Sequence, residues 1–330
     1  MGRNGDSGRR AGLRPHVDKI RLTAWAAALV TALLLLPSRS PAQAAPASSG
    51  PEVRATVTVL RRGSSAPAAI TAQDVLVYQR HERRPVVSWT PADPNGSETD
   101  LAILVDDSAA SSLGNQLANL RHFITLLPSA MRVAVIYATH GNATVLQDFT
   151  TDHAAAAKAL RLPVGRANEG SSIYMAAGDT VKHFPRDGHL HAMLLISDGI
   201  DLYRGVMDSQ PGLNPDLNAA IEQAQRGGVV IYTIFANDAG LYRRNLFLVN
   251  NGQGSLSLLT LSTGGQSFFQ GLETPISFQP YLQEVAQLLG EQYILTFRAA
   301  PASKSGVVPV RITTEQPGVQ LLAPQSVCVP

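Results

Sequence analysis

The sequence has a single cysteine, Cys328, among 330 residues. One thiol excludes an internal disulfide, so Cys328 is either a free or intermolecularly linked thiol or a small buried hydrophobe in a last strand. Charged residues are also scarce, at 16% of the chain, whereas hydrophobic residues make up 45%. Such a chain can bury a full core, which excludes wholesale disorder, and its length allows one large domain or two modest ones.

Positive charge is confined largely to the start of the chain. The first 44 residues contain seven basic and two acidic residues, and without them 20 basic and 23 acidic residues remain, a net charge of about −3. A mildly acidic protein has no electrostatic basis for binding nucleic acid, which excludes that class of partner.

The N-terminal apolar segment is too short to cross a bilayer comfortably. It runs over 15 residues from Leu22 to Leu36, whereas a spanning helix needs about 20. A basic region precedes it, and Ala42-Gln43-Ala44 follows as a small-x-small cleavage site. We predict a signal peptide over residues 1–44, with an uncleaved anchor as the alternative. Cleavage would leave a secreted or periplasmic protein of the cell envelope with no stable membrane span.

Residues 99–290 alternate between apolar strands and segments of helical spacing. The predicted strands are 101–106, 132–138, 143–149, 192–197, 229–235 and 266–269, and the predicted helices are 117–127, 152–160, 173–184, 217–225, 256–261 and 281–289. This order predicts an α/β domain with a doubly wound, mostly parallel sheet, in which 132–138 and 143–149 form an antiparallel hairpin at the edge.

Strand patterns without helices flank this domain on both sides. The N-terminal segment, 45–98, is a tether followed by strands at 53–60, 74–79 and 85–89, and the C-terminal segment, 291–330, has strands at 292–298, 307–313 and 319–322. Each segment is too small to fold alone. We therefore predict that the two chain ends pair to form one small β module.

Polar residues follow the buried strands where those strands end. The apolar run from Leu101 to Val105 leads into Asp106 and Ser108, and a second run leads into Asp198. Ligand sites of open α/β sheets lie beyond the carboxyl ends of the strands. We expect both carboxylates there, with the glycine loop that carries Ser171 reaching over them. This hard oxygen set suits Mg²⁺, Mn²⁺ or Ca²⁺ and not zinc.

These segments resemble the metal-ion-dependent adhesion site of von Willebrand factor type A (VWFA) domains, in the variety found in secreted bacterial proteins. That site reads Asp-x-Ser-x-Ser, then a Thr on a glycine loop, then an Asp in a strand-end Asp-Gly. The resemblance covers about residues 99–290, implies a Rossmann-like A-domain fold, and places the metal ligands at Asp106, Ser108, Ser171 and Asp198. Ala110 departs from the pattern, because it occupies the position of the second Ser.

The resemblance implies recognition of a partner rather than catalysis. In the family, a carboxylate of a partner protein completes the coordination of the divalent cation, so the expected ligand is a protein or an extracellular surface. Water can replace the hydroxyl missing at Ala110, which weakens Mg²⁺ or Mn²⁺ binding without forbidding it. The alternative is a vestigial site in which Asp106 and Asp198 only accept backbone hydrogen bonds. Asp107, Ser111 and Ser172 are expected at the rim.

Other classes of function remain open beside this one. A phosphotransferase with a strand-end Asp-x-Asp needs a second carboxylate where Ser108 stands, and neither Gly-x-Ser-x-Gly nor Gly-x-Gly-x-x-Gly occurs. We therefore predict a non-enzymatic protein, with a metal-independent structural or interaction module as the alternative. His189 and His191 are interpreted as a solvated strand entry rather than a metal pair, and Asp201 as a loop charge. The oligomeric state is left undetermined.

Overall fold

The computed structural model describes residues 50–61, 69–93, 95–109, 111–165, 172–237, 245–301 and 304–330. The predicted signal peptide, Ala110 and Ser171 lie outside these residues, and so does the side chain of Ser111.

Six strands form the central sheet: β5 (Thr99–Asp106), β6 (Arg132–Thr139), β7 (Asn142–Thr150), β8 (Leu190–Ser197), β9 (Val229–Phe235) and β10 (Ser267–Phe268). Their order across the sheet is β10-β9-β8-β5-β6-β7, and every neighbouring pair is parallel except β6 and β7. Numbered along the chain and read from β7, this is the 3-2-1-4-5-6 order of a doubly wound sheet. The predicted fold class and edge hairpin are confirmed.

Six helices cover the two faces of this sheet: α1 (Leu117–Leu126), α2 (His153–Ala159), α3 (Ile173–His183), α4 (Pro215–Gly227), α5 (Leu246–Thr263) and α6 (Gln279–Gly290). Short 3₁₀ turns occupy Ser111–Gln116 and Met207–Ser209. Leu101 and Ile103 of β5 pack in the core under α1, α2 and α6, whereas Ala102 and Leu104 pack under α3, α4 and α5. Burial on both faces explains why β5 is an unbroken apolar run.

Helix α5 is three times as long as the helix predicted at 256–261. The residue before its first turn, Asn245, is the N-cap: its side chain accepts hydrogen bonds from the backbone N–H groups of Phe247 and Leu248. Gly252 and Gly254 hide the helical pattern in the sequence, because glycine disfavours helix interiors. The tertiary packing requires Gly252: a Cβ at this position would lie 2.2 Å from the carbonyl oxygen of Asp198.

The strands outside the central sheet come from both ends of the chain. They are β1 (Glu52–Arg61), β2 (Val75–Gln79), β3 (Glu82–Arg84), β4 (Val86–Pro91), β11 (Gln292–Arg298), β12 (Gly306–Pro309), β13 (Arg311–Thr314), β14 (Val319–Leu322) and β15 (Ser326–Val329). N-terminal β1 pairs with C-terminal β11 and β14, and β2 pairs with β13, all antiparallel. The Tyr232 hydroxyl of β9 links this module to the central sheet, because it accepts a hydrogen bond from Gln292 Nε2 at 3.2 Å.

Two details of the C-terminal strands differ from the sequence prediction. The single strand predicted at 307–313 is two strands, because β12 pairs with β15 whereas β13 pairs with β2. Strand β15 is the last strand that one interpretation of Cys328 expected, without bounds; Cys328 in it is a free thiol of intermediate exposure rather than a fully buried residue. No helix in the described part of the chain combines the length and apolar character that crossing a membrane requires.

Candidate metal site at the carboxyl edge of the sheet

The strand order reverses between β5 and β8, and a doubly wound sheet binds its ligands at this switch point. The parallel register pairs Val105 with Ile196, so Asp106 and Ser197, the last residues of the two strands, lie opposite each other. The Ser197 hydroxyl donates a hydrogen bond of 2.7 Å to Asp106 Oδ2. The strand ends that carry Asp106 and Asp198 are therefore neighbours.

Asp106 is a buried carboxylate whose hydrogen-bond donors come from serine. In addition to Ser197, Ser108 donates to Oδ1 through its backbone N–H at 3.0 Å and its hydroxyl at 2.6 Å. Burial raises the pKa of Asp106 from its ordinary value, and the serine hydrogen bonds offset only part of that rise. A nearby cation would stabilise this charged carboxylate, because burial has removed it from water.

Two further carboxylates, Asp198 and Asp201, follow the end of β8 in the chain. Tyr174 is fully buried and donates a hydrogen bond of 2.7 Å to the carbonyl oxygen of Gly199. Burial raises the pKa of Tyr174 well above its ordinary value, and the negative charges of Asp201, Asp198 and Asp106 raise it further. All three carboxylates thus act electrostatically on the buried Tyr174 hydroxyl.

Asp201 is a structural part of this site, and the interpretation of it as a solvated loop charge is wrong. Its side chain is buried and accepts hydrogen bonds from the Ser172 hydroxyl at 2.6 Å, from Asn214 Nδ2 at 3.1 Å and from the backbone N–H of Tyr203 at 2.9 Å. Ser172, expected at the rim, is fully buried and directed to Asp201. The sequence did offer one indication that Asp201 belongs to the site, because Asp201 lies only three residues after Asp198.

Asp107, also expected at the rim, is directed away from the carboxylates described above. It accepts hydrogen bonds from the Arg161 guanidinium at 2.6 and 3.0 Å and from the backbone N–H of Val164 at 3.0 Å. Burial alone would raise the pKa of Asp107, but these hydrogen bonds and the charge of Arg161 lower it below its ordinary value. Arg161 also stacks on the ring of Tyr137. Asp107 therefore anchors the segment that follows α2.

Arg161→Met is expected to lower the free energy of unfolding by about 1–2 kcal/mol at neutral pH, because it leaves the buried Asp107 carboxylate without its cation. The loss is limited because the Arg161 side chain is itself about one-third exposed to solvent. The lowered pKa of Asp107 contributes stability above the unfolded pKa, and this contribution disappears as the pH falls through the folded pKa. Urea titrations at pH 7 and below pH 4 should show the difference shrinking in acid. A constant difference would contradict this account.

A second group of possible ligands lies at the opposite, amino edge of the sheet. Ligand atoms of Asp100, Asp187 and His189 lie within 4.8 Å of one another and could hold a divalent cation. The Arg132 guanidinium already lies among them, 2.6 Å from Asp100, 2.6 Å from Asp187 and 2.9 Å from His189 Nδ1. A metal ion would have to displace this arginine. His191 beside them is largely buried, so the predicted solvated strand entry is wrong for this residue.

No family profile matches the sequence, and no curated protein matches it significantly. Solved structures that are similar to it include an aerotolerance-related membrane protein from Bacteroides fragilis with multiple mutations to serines, at 13% identity and a TM-score of 0.42, over 58% of this chain and 98% of that chain. The human COPII-coat protein Sec24c has 9% identity and a TM-score of 0.39 over 73% of this chain and 46% of that chain. The SpRpn10 VWA domain has 14% identity and a TM-score of 0.34 over 58% of this chain and 92% of that chain.

The fold resembles a von Willebrand factor A domain. The strand order of the central sheet agrees with the Rossmann-like fold that the resemblance implied, and similarity to solved structures at this level adds no argument about function. Within this VWFA-like fold, the structure brings Asp106 into contact with Ser108 and with Ser197, the neighbour of Asp198. Ser171 lies outside the described residues. Ion binding by the four predicted ligands therefore stays a prediction.

Sequence reasoning did not identify three groups that support the site: the Ser197 hydroxyl, the Asp201 carboxylate and the Tyr174 hydroxyl. Ser197 immediately precedes Asp198 at the end of an apolar strand, which was a usable signal. The sequence gave no sign that Tyr174 supports the site, because an aromatic residue in the first turn of a helix is more often simply part of the core.

Proposed function

We propose that this chain is a non-enzymatic binding module that recognises a protein partner through a degenerate metal-ion-dependent adhesion site. The observation that carries this proposal is the hydrogen bond from Ser197 to Asp106, which joins the two strand ends at the switch point. The segments at this edge of the sheet carry three carboxylates and several hydroxyls, which could bind an ion. They contain no recognised sequence motif that pairs a nucleophile with a base.

The donor set is compatible with a hard divalent cation. Asp106, Ser108, Ser171 and Asp198 would hold the ion, and all of them offer oxygen, as Mg²⁺ and Mn²⁺ prefer. A serine hydroxyl that now donates to Asp106 keeps lone pairs for a cation. When bound, the ion would supply an open coordination position for a carboxylate of the partner. Asp201 orients the surrounding turn through its hydrogen bonds to Ser172 and Asn214.

We further propose that the protein works outside the cytoplasm, in the periplasm or beyond the cell. The support is the basic, apolar and small-x-small order of residues 1–44.

A metal-independent interaction module is the second candidate, and one observation favours it. The Asp106 carboxylate already accepts three hydrogen bonds from Ser108 and Ser197, so burial of its charge is partly compensated without an ion. A phosphotransferase has less support, because the position that needs an acid–base carboxylate is occupied by the Ser108 hydroxyl.

Asp106→Ala is expected to weaken Mg²⁺ and Mn²⁺ binding at least about tenfold, since it removes the charged ligand that is buried at the switch point. Calorimetric titration of the chain lacking residues 1–44 measures this. Asp148→Ala is the matched control, because Asp148 is an exposed carboxylate on edge strand β7. The Asp148→Ala variant should bind the ion with the same affinity as the unmodified chain.

Equal affinities of the Asp106 and Asp148 variants would assign the ion to another site. No ion binding by the unmodified chain would instead support the metal-independent module, whose binding to partners from envelope extract should be insensitive to EDTA.

A further inference from the structure

Two arginines and a tyrosine form one row across the exposed face of the sheet β13-β2-β3. Tyr78 of β2 lies directly opposite Arg311 of β13 on one side and directly opposite Arg83 of β3 on the other. Side chains of directly opposed residues point to the same face of an antiparallel sheet. The Arg311 guanidinium lies 4.8 Å from the centre of the Tyr78 ring, and both arginines are exposed. We call these three residues the arginine row.

The arginine row carries positive charge that its neighbours do not neutralise. Neither Arg83 nor Arg311 forms an ion pair among the described residues. Glu82 is adjacent to the row in the sequence, but its side chain points to the opposite face, because successive side chains along a strand alternate. There it forms an ion pair of 2.6 Å with Arg84. Strands β4 and β14, which pack beside β2 and β13, contain no charged residue.

The acidic residues nearest to the row along β2 and β13 lie at the far ends of these strands. Asp74 precedes β2 and Glu315 follows β13, each four residues from the row. That separation is about 13 Å, beyond the Debye length of about 8–10 Å at ordinary ionic strength. The side chain of Asp74 also accepts hydrogen bonds from Thr71 and Gln316. The row is therefore a local positive surface on a chain whose net charge without the first 44 residues is about −3.

The hairpin turn beside the row adds two more exposed basic side chains in an unfavourable backbone conformation. Arg80 and His81 form the two-residue loop between β2 and β3, and their φ angles are positive, at 50° and 67°. A loop of this kind favours Asn-Gly, because most other residues are strained at positive φ. The sequence thus retains basic side chains at the tip of the hairpin although they lower stability, which is typical of functional positions.

The surroundings of the row favour a polar polymer over a folded protein or a membrane. None of the large exposed hydrophobic residues of the described chain lies on β2, β3 or β13. A stable protein interface has an apolar centre, and a surface that binds lipid adds buried apolar side chains to its electrostatic attraction. The row offers instead guanidinium groups, which bind carboxylates through paired hydrogen bonds, and one aromatic ring.

We propose that the arginine row binds a linear acidic polysaccharide whose sugar units carry carboxylates. The backbones of Arg311 and Arg83 lie two strand spacings apart, about 10 Å. Their guanidinium groups can therefore hold two carboxylates of one extended chain, with a sugar ring against Tyr78 between them. Arg80 and His81 extend the same positive surface beyond Arg83. This binding requires no metal ion, so it is independent of the adhesion site proposed above.

Biolayer interferometry in EDTA measures binding to immobilised polygalacturonate, with neutral dextran as the reference polymer. The protein used lacks residues 1–44, whose seven basic residues would bind any polyanion. The remaining chain forms one compact unit that contains every described strand and helix. It should bind polygalacturonate and not dextran, and its affinity should fall as salt is added, because salt screens exposed charges. No binding to polygalacturonate would overturn the proposal.

A pair of variants locates the binding surface. Arg83→Gln combined with Arg311→Gln should weaken binding at least about tenfold, since two charge-assisted contacts are lost. Arg186→Gln combined with Arg226→Gln is the matched control, because both arginines are exposed on the α/β domain and the net charge changes equally. This control should bind as the unmodified chain does. Equal weakening by the two pairs would reduce binding to net charge and overturn the proposal.

Arg80→Asn combined with His81→Gly separates binding from folding. This change should raise the melting temperature, because the loop gains the residues that its backbone favours. It should also weaken polygalacturonate binding about threefold, because two basic side chains are lost. A purely structural turn would not show these opposite effects. Binding that neither this variant nor the variant of Arg83 and Arg311 weakens would overturn the proposal.

Two other partners are distinguished by the same measurement. Tighter binding to polyglutamate than to polygalacturonate, lost on substitution of Arg83 and Arg311, would replace the polysaccharide by an acidic protein segment. Tighter binding to phosphatidylglycerol vesicles, lost in the same variant, would replace it by a membrane. Either result would overturn the proposal.

Discussion

Arg132→Met should lower the free energy of unfolding by about 3 kcal/mol. Asp100 is fully buried at the start of β5, and Arg132 donates one hydrogen bond of 2.6 Å to each of its carboxylate oxygens. The same guanidinium contacts Asp187 and His189. Methionine keeps much of the volume but leaves the Asp100 charge buried without a cation, which costs more than the ion pair itself contributes.

Chemical denaturation of the Arg132 variant, followed by circular dichroism, measures this loss. Lys182→Met is the matched control: Lys182 forms an ion pair with Asp179 on α3, but both side chains are exposed. Exposed pairs of this kind contribute about 0–1 kcal/mol. If the two variants lost similar stability, burial of the Asp100 carboxylate would not depend on the charge of Arg132.

Gly252→Ala should destabilise the protein by about 2 kcal/mol, although helix propensity alone predicts a gain of about 1 kcal/mol from this change. The sign is reversed by tertiary packing. An added Cβ would lie 2.2 Å from the carbonyl oxygen of Asp198 and 3.0 Å from Ile200 Cγ1, so either α5 or the turn at Asp198 must move. The same movement displaces a predicted metal ligand, so Mg²⁺ affinity should fall together with stability.

Thermal denaturation and calorimetric titration of the Gly252 variant test both effects. Gly290→Ala provides the control, because a Cβ at this last position of α6 meets nothing within 4 Å. That variant should be neutral or slightly more stable. A Gly252 variant as stable as the Gly290 variant would show that α5 is free to shift away from Asp198.

The bounds of two strands, one fully buried and one partly buried, were predictable from the sequence to the residue. The observed bounds of β9 and β11 coincide with the predicted strands 229–235 and 292–298. These segments are short, apolar and bounded by glycine or by a helix end, so local pattern alone separates them from their surroundings. Helix α5 was the opposite case, because two glycines that satisfy a close tertiary contact look in the sequence like a loop.

The strand ends of the candidate site were predictable from the sequence, but the contacts that support them were not. Asp106 and Asp198 follow apolar strands, and that local order is enough to assign them to the carboxyl edge. Burial of Asp201 depends on Ser172 and Asn214, which are 29 and 13 residues away. Sequence periodicity does not determine such contacts, so Asp201 resembled an ordinary loop residue.

By itself, the amino-acid sequence determined the layered α/β class, the absence of an internal disulfide and the presence of carboxylates at the ends of two buried strands, because composition and periodicity act over a few residues. Only the tertiary structure decided that Asp106 lies opposite Ser197, that α5 contacts the backbone at Asp198 and that Asp201 is buried. The physical reason is that register and helix placement arise from packing across the whole sheet, which joins residues far apart in the chain.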